Sequence, residues 1–383
     1  MAAPAVRSAI KTQAEPQEAW QTSGEEARES LVVQTSFLGD AVLTTPLIAE
    51  LAVRGPVDVV VTPASAPLLA NNPAIRRLYV YDKKADDAGL MGLWQTSTRL
   101  RGRRAAPPAP ARRERRATRI AYLAQGSVRS ATLALLAGCG ERIGFATSPG
   151  RLLYTKRVTY RDDRHHAERL WRLGFPSQPE IEPTEGTLQP RLYPSSTDVR
   201  AVDGLLADTV DDRPLIALAP GSAWGTKRWP FYADLARRLA PRARIVIIGG
   251  AGDAELGRAI AEAAGSGMSQ GDSALKVIDA TGRLSLLGSA ELIRRASALV
   301  TNDSSPSHLA SAMGTRTITI FGPTVPEFGF GPLAPRSSPA GLDGLPCRPC
   351  HHHGPERCPL GHWRCMRNLD AVSIEALLTS IMD

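Results

Sequence analysis

The sequence predicts an α/β chain built from two Rossmann-like halves, each a parallel sheet with crossover helices. Three observations lead there. Apolar, β-branched runs alternate with helix-like stretches along most of the chain, which is the pattern of parallel strands joined by helices. The pattern starts twice, at Leu31 and at Leu215. Each start is an apolar run followed by a glycine-containing turn: Ser36-Phe37-Leu38-Gly39-Asp40 in the first half, and Pro220-Gly221-Ser222 running to Trp229-Pro230 in the second. Such turns present backbone N–H groups and a helix N-terminus to an anion. A length of 383 residues also favours two domains over one.

Taken in order, residues 1–30 are polar and rich in Ala, Glu and Gln, without an apolar core of the kind a secretory signal needs. They read as a disordered extension. Residues 31–195 form the first domain, with strands expected near Leu31–Gln34, Val57–Thr62, Arg77–Val80, Arg119–Leu123 and Arg142–Phe145. Helical stretches include Pro46–Ala52 and Ala131–Gly138. The Pro-, Glu- and Ser-rich stretch Pro176–Asp212 reads as a linker. Residues 205–370 form the second domain, with strands near Leu215–Ala219, Arg244–Gly249, Lys276–Ile278, Ala298–Thr301 and Arg316–Phe321. Its helical stretches include Phe231–Leu239, Ala254–Ala264 and Ser289–Ala296. A last apolar-periodic helix, within residues 371–383, is expected to pack back onto the first domain.

Composition bounds the function. No apolar run reaches the ~18 residues of a membrane span, so a cytoplasmic enzyme is expected. The formal net charge is +8, and it is local. Residues 99–119 hold nine arginines against one acid, Glu114. With Pro107, Pro108 and Pro110 this segment is a loop rather than one helix. It is either a solvated surface or a surface that meets anionic lipid or a phosphorylated acceptor. No nucleic-acid fold signature accompanies it. Of five cysteines, four lie at Cys347, Cys350, Cys358 and Cys365. That spacing suits a structural zinc site, or iron, at a cluster spanning 347–365, with free thiols or a disulfide as the competing reading. Cys139 reads as a lone buried thiol.

The two turns differ in chemistry. The first offers a lone carboxylate, Asp40; the second offers Ser222, Thr226 and Lys227. A base on one half and a phosphate clamp on the other is what transfer from a nucleotide-activated donor requires. A lysine at a helix start opposes the helix dipole, which favours an anion nearby. Asp253, after the second strand of its half, suits ribose hydroxyls; first-turn acid preference is the plainer account. Asp40 likewise suits a helix cap. His308 reads as a packing histidine, and His165-His166 with Glu168 and Arg169 as part of a structural amphipathic helix.

Several motifs then combine. They are Leu38-Gly39-Asp40 with Thr44-Thr45-Pro46; Gln125-Gly126-Ser127-Val128-Arg129-Ser130; Pro220-Gly221-Ser222 with Thr226-Lys227-Arg228-Trp229-Pro230; Asn302-Asp303-Ser304-Ser305 with His308-Leu309-Ala310; and Phe321-Gly322-Pro323-Thr324. In this order and spacing the chain resembles glycosyltransferase family 9, the ADP-heptose:lipopolysaccharide heptosyltransferases, in a heptosyltransferase II-like form. The resemblance implies a GT-B fold, two facing Rossmann-like domains, and inverting transfer without a catalytic metal. It implies Asp40 as base and Lys227 as the cation at the leaving diphosphate. Ser222, Thr226, Asp303, Ser304, Ser305 and Thr324 become donor contacts, and Ser127, Arg129 and Ser130 acceptor-side or base-supporting residues. It further implies an ADP-heptose donor, a lipopolysaccharide-core glycolipid acceptor, and a monomer working at the inner face of the inner membrane. The family's Asp-Ser-Gly is Asp303-Ser304-Ser305 here, the insert at 99–119 is long and basic, and residues 1–30 have no counterpart. Competing functions are transfer of another nucleotide-activated sugar, a nucleotide-sugar epimerase, and a silent nucleotide-sugar-binding protein.

Overall fold

The computed structural model describes residues 28–101, 119–207, 211–265 and 277–383. Residues 1–27 of the expected extension, 102–118 of the basic segment and Lys276 of the expected strand lie outside the described residues. The chain divides into two compact units, residues 1–161 with 166–188, and residues 162–165 with 189–383.

The first unit holds β1 (Ser30–Gln34), α1 (Leu38–Leu43), α2 (Thr45–Arg54), β2 (Val57–Val61), α3 (Ala66–Leu69), β3 (Arg77–Val80), α4 (Gly89–Arg101), β4 (Ile120–Leu123), α5 (Val128–Leu136), β5 (Glu141–Phe145), β6 (Lys156–Val158) and α6 (His166–Arg172). Its six strands run parallel in the order β3-β2-β1-β4-β5-β6. β1 and β2 are buried along their whole length, because helices cover both faces of a parallel sheet. Residues 28–30 are ordered: Ser30 opens β1, and Glu29 ion-pairs with Arg76 at 2.7 Å.

The second unit holds α7 (Ser196–Leu206), β7 (Leu215–Ala219), α8 (Tyr232–Leu239), β8 (Arg244–Ile247), α9 (Ala254–Gly265), β9 (Ile278–Asp279), α10 (Leu286–Arg295), β10 (Ala298–Asn302), α11 (Ser305–Met313), β11 (Thr317–Ile320), β12 (Ser338–Ala340), α12 (Arg364–Arg367) and α13 (Ala371–Met382). The strand order is β12-β11-β10-β7-β8-β9, again all parallel. Both sheets therefore carry the same doubly wound order, with a reversal between β1 and β4 and between β7 and β10. Loops at the carboxyl ends of those strands are where such sheets bind ligands.

Three sequence expectations are corrected. The stretch read as a linker contains α7, which starts on a capping box: Ser195 Oγ accepts from Asp198 N, and Asp198 Oδ2 accepts from Ser195 N at 2.8 Å. Two short edge strands, β6 and β12, carry too little apolar sequence to stand out. The last helix packs within the second unit, not onto the first. Ile374 and Leu378 of α13 join the core formed by Ile216, Leu235 and Ile320, and Glu375 ion-pairs with Arg238 and Arg242 of α8. Apolar periodicity says only that a helix has a face to bury; which core takes it is decided by tertiary packing.

Candidate active site

In the first unit, β1 delivers the chain to Thr35-Ser36-Phe37, and α1 begins with Asp40 in its first turn. Phe37 N–H donates to Asp40 Oδ2 at 3.3 Å, so the carboxylate does cap its helix. Its other oxygen, Oδ1, lies 3.4 Å from His166 Nε2, with both side chains largely buried. His166 opens α6, which packs on α2 and α1; Trp171 Nε1 of α6 donates to Glu50 Oε2 of α2 at 3.3 Å. The histidine expected only to fill a structural helix therefore faces the expected base. Nothing in the local sequence signals this, since the two residues are joined by tertiary packing alone.

The switch point of this sheet is tied by side chains. Gln34 Nε2 donates to Thr44 Oγ1 at 2.9 Å, and Ser130 Oγ donates to Gln125 Oε1 at 2.7 Å. Thr35 Oγ1 also donates to Gln125 Oε1, at 3.3 Å, linking the ends of β1 and β4. Lys83, which sequence reading passed over, donates from Nζ to the Thr35 carbonyl at 2.9 Å. Arg129 is committed locally. It donates to the Tyr81 hydroxyl and to the carbonyls of Asp87 at 2.6 Å and Gly89 at 2.9 Å, fixing the approach to α4.

In the second unit, the turn after β7 leads into a single 3₁₀ turn, Gly225–Lys227. Lys227 is buried. Its Nζ donates to Asp303 Oδ2 at 2.6 Å and to the Asp303 carbonyl at 3.2 Å. The same carboxylate oxygen accepts from Thr324 Oγ1 at 2.6 Å. Three residues from three loops thus meet at the carboxyl ends of β7, β10 and β11. Asn302, buried at the end of β10, accepts from Trp229 N at 3.1 Å and donates to the Pro220 carbonyl at 2.8 Å, which locks the turn after β7 to the strand beside it.

The remaining expected donor contacts are also placed. Ser304 caps α11, its hydroxyl 3.4 Å from the Gly221 carbonyl, and Ser305 is the first residue of that helix. Asp253 Oδ2 accepts from Gly250 N at 2.9 Å, while its carboxylate lies over Gly221, where an added Cβ would come within 2.6 Å of both oxygens. Gly221 is therefore required by close approach. Ser222 Oγ accepts from Trp224 N at 3.3 Å. Thr226 is used differently from expectation: its hydroxyl donates to the Pro355 carbonyl, and its own carbonyl accepts from Trp363 Nε1 at 2.9 Å.

These bonds bring the cysteine-bearing segment against the clamp. Gly354 lies beside the Lys227 side chain, and Gly225 N donates to Glu356 Oε2 at 3.4 Å. The cysteine-bearing segment is thus a wall beside Lys227. All five cysteines are free. The expected metal site is not assembled: among the described residues no three His, Cys, Asp or Glu side chains are gathered to hold an ion. The thiols have local partners instead. Cys350 Sγ donates to the Cys347 carbonyl at 3.0 Å, Cys358 Sγ accepts from Trp363 N at 3.4 Å, and Cys347 Sγ lies 3.9 Å from His362 Nε2. Cys365 is buried in the core of the unit; burial, with the neighbouring thiols, pushes its pKa up to about 11.

A family model described as glycosyltransferase family 9 (heptosyltransferase) matches residues 113–362. The chain belongs to glycosyltransferase family 9. The transferase is 30% identical to lipopolysaccharide heptosyltransferase 1 of Pseudomonas aeruginosa over 84% of this chain and 85% of that one. It is 27% identical to lipopolysaccharide heptosyltransferase 2 of Escherichia coli over 78% and 84%. The two types are thus matched at similar identity. The solved structure of E. coli ADP-heptose lps heptosyltransferase II shares the GT-B fold, with a TM-score of 0.71, 22% identity and coverage of 92% of this chain and 98% of that one. Among the described residues no helix of the transferase is long and apolar enough to cross a membrane.

Proposed function

We propose that this glycosyltransferase moves heptose from ADP-heptose to a heptose or Kdo hydroxyl of the lipopolysaccharide inner core, with inversion and without a catalytic metal. The Lys227–Asp303–Thr324 constellation carries the proposal, because it places a buried cation at the switch point where a doubly wound sheet takes a diphosphate. An ammonium has three N–H donors. Two are directed at Asp303, which leaves one to meet a phosphate oxygen. The amides opening α11 supply further positive potential. Heptose as the sugar rests on the relatives' names.

In the transfer step the acceptor oxygen bonds to C1 of the donor sugar and loses its proton to Asp40. The bond from C1 to the diphosphate oxygen breaks, and its electron pair leaves with ADP. Attack opposite the leaving group inverts the centre. His166 is a positioning residue: its Nε2 beside Oδ1 orients the Asp40 carboxylate. The growing charge on ADP meets Lys227 and oriented N–H groups, interactions stronger in the transition state than in the ground state. Ser222, Ser304, Ser305 and Thr324 line the diphosphate, and Asp253 takes ribose hydroxyls. The enzyme acts as a cytoplasmic monomer, peripheral on the inner membrane, where its glycolipid acceptor lies.

The test is product analysis with ADP-heptose against UDP-hexoses, in chelator, on a core-oligosaccharide acceptor. Heptose-extended acceptor plus ADP, at a rate unchanged by chelator, is expected. Turnover only with another nucleotide sugar would replace the donor. Conversion of the donor's sugar without an acceptor would make the enzyme an epimerase, and loss of activity in chelator would overturn metal independence.

A further inference from the structure

Helix α4 buries one side and leaves the other uncovered. Gly92, Leu93, Thr96, Ser97 and Leu100 face inward. On the opposite side Leu90, Met91 and Trp94 are 84%, 65% and 59% exposed. Spacings of three and four residues set these three on one stripe. Large apolar side chains scattered singly over a surface are ordinary, but a contiguous apolar stripe marks an interaction site.

Charge identifies the occupant. Arg99 is taken by Asp87, Arg119 by Asp58 and Arg101 by the Leu136 carbonyl, so these three of the nine arginines are spent inside the unit. Six others, from Arg103 to Arg116, follow the stripe in sequence against the single acid Glu114. An exposed apolar helix face followed in sequence by a cluster of arginines is complementary to an anionic bilayer, whose headgroups attract the cations while its acyl boundary takes Leu, Met and Trp. Tryptophan suits that boundary because its ring is amphipathic.

We infer that the outer face of α4, with Trp94 at its centre, inserts into the interfacial layer of an anionic phospholipid membrane. This deepens the proposal of a membrane-borne acceptor and rests on it. Electrostatic attraction alone is screened by salt; an apolar anchor retains part of the binding when salt is raised.

The experiment is vesicle flotation of the full chain with phosphatidylglycerol–phosphatidylethanolamine vesicles, and with phosphatidylcholine vesicles as control. The variant Leu90→Ser/Met91→Ser/Trp94→Ser is compared with Arg112→Ser/Arg113→Ser/Arg115→Ser/Arg116→Ser. Wild type should float with the anionic vesicles and keep a residual fraction at high salt. The α4 variant should partition about tenfold less and lose that salt-resistant fraction, with turnover on a soluble acceptor unchanged. The arginine variant should lose the salt-sensitive part. Trp94→Gln alone, at an exposed position, should show the same direction if the triple variant folds poorly. Unchanged flotation of a folded α4 variant overturns the inference, as does a wild-type dimer that the α4 variant dissociates. Turnover on the soluble acceptor reports the transfer reaction separately, so failure of one idea is distinguishable from failure of the other.

Discussion

Asp40 caps its helix, and the proposed role as base leaves that cap in place. One oxygen accepts from Phe37 N–H while the other meets His166, so the cap holds the carboxylate in the place where a base is wanted. Asp40→Ala should lower turnover about 10²–10⁴-fold while ADP-heptose affinity stays near normal; near-normal turnover would return Asp40 to capping alone. His166→Gln should reduce kcat less, with KM little changed. An unchanged kcat would make the histidine a packing residue. Lys227→Ala removes the cation from a buried pair and leaves Asp303 uncompensated. It should cost stability, on the order of 3–5 kcal/mol, besides weakening ADP binding and slowing turnover. The double change Lys227→Ala/Asp303→Asn should recover stability in denaturant titrations but not activity.

At the scale of elements, α10 shows how a helix is pinned. Glu291 is buried and accepts from Arg294 and Arg295. Arg295 also reaches Asp203 and the Val199 carbonyl on α7. The Arg294 hydrogen bond, against the opposing pull of burial, and then that of Arg295 hold the Glu291 carboxyl below its ordinary value of 4.5. A depressed acid contributes stability that is present above its unfolded pKa and lost as pH falls through its folded one. Glu291→Gln should therefore destabilise the protein by about 1–3 kcal/mol at neutral pH, with the difference from wild type shrinking below the ordinary carboxylate range. A gap in denaturant midpoint that is constant with pH would refute this linkage. The segment around Trp363 makes a second element-level claim. Trp363→Phe removes the bond to the Thr226 carbonyl, loosening the wall beside Lys227, and should raise the KM for the donor more than it lowers kcat.

At the scale of the whole molecule there are two sheets of identical strand order, and the proposed chemistry is divided between them: the proposed base is in the first unit and the proposed diphosphate site in the second. Saturating ADP should slow amide hydrogen exchange at residues 220–228 and 303–306 and leave residues 36–44 close to their unliganded rates. A ligand stabilises the segments whose folded form it binds. Protection of the first unit alone would reverse the assignment of the two halves.

The fold class and most of the site were legible because they depend on local chemistry. Fully buried strands read as apolar runs, glycine turns mark where they end, and a carboxylate or lysine after such a turn stands out against its surroundings. What only the tertiary structure decided depends on partners distant in sequence. His166 meets Asp40 because α6 packs on α2. Lys227 is oriented by Asp303 and Thr324, which come from other strands. Thr226 and Trp363 bring the cysteine segment to the clamp, whereas the spacing of the cysteines alone suggested a separate metal site. The last helix buries Ile374 and Leu378 in the core of the second unit. A side chain's type is written in the sequence, but its partner is set by which elements share a core, and there packing and charge pairing decide.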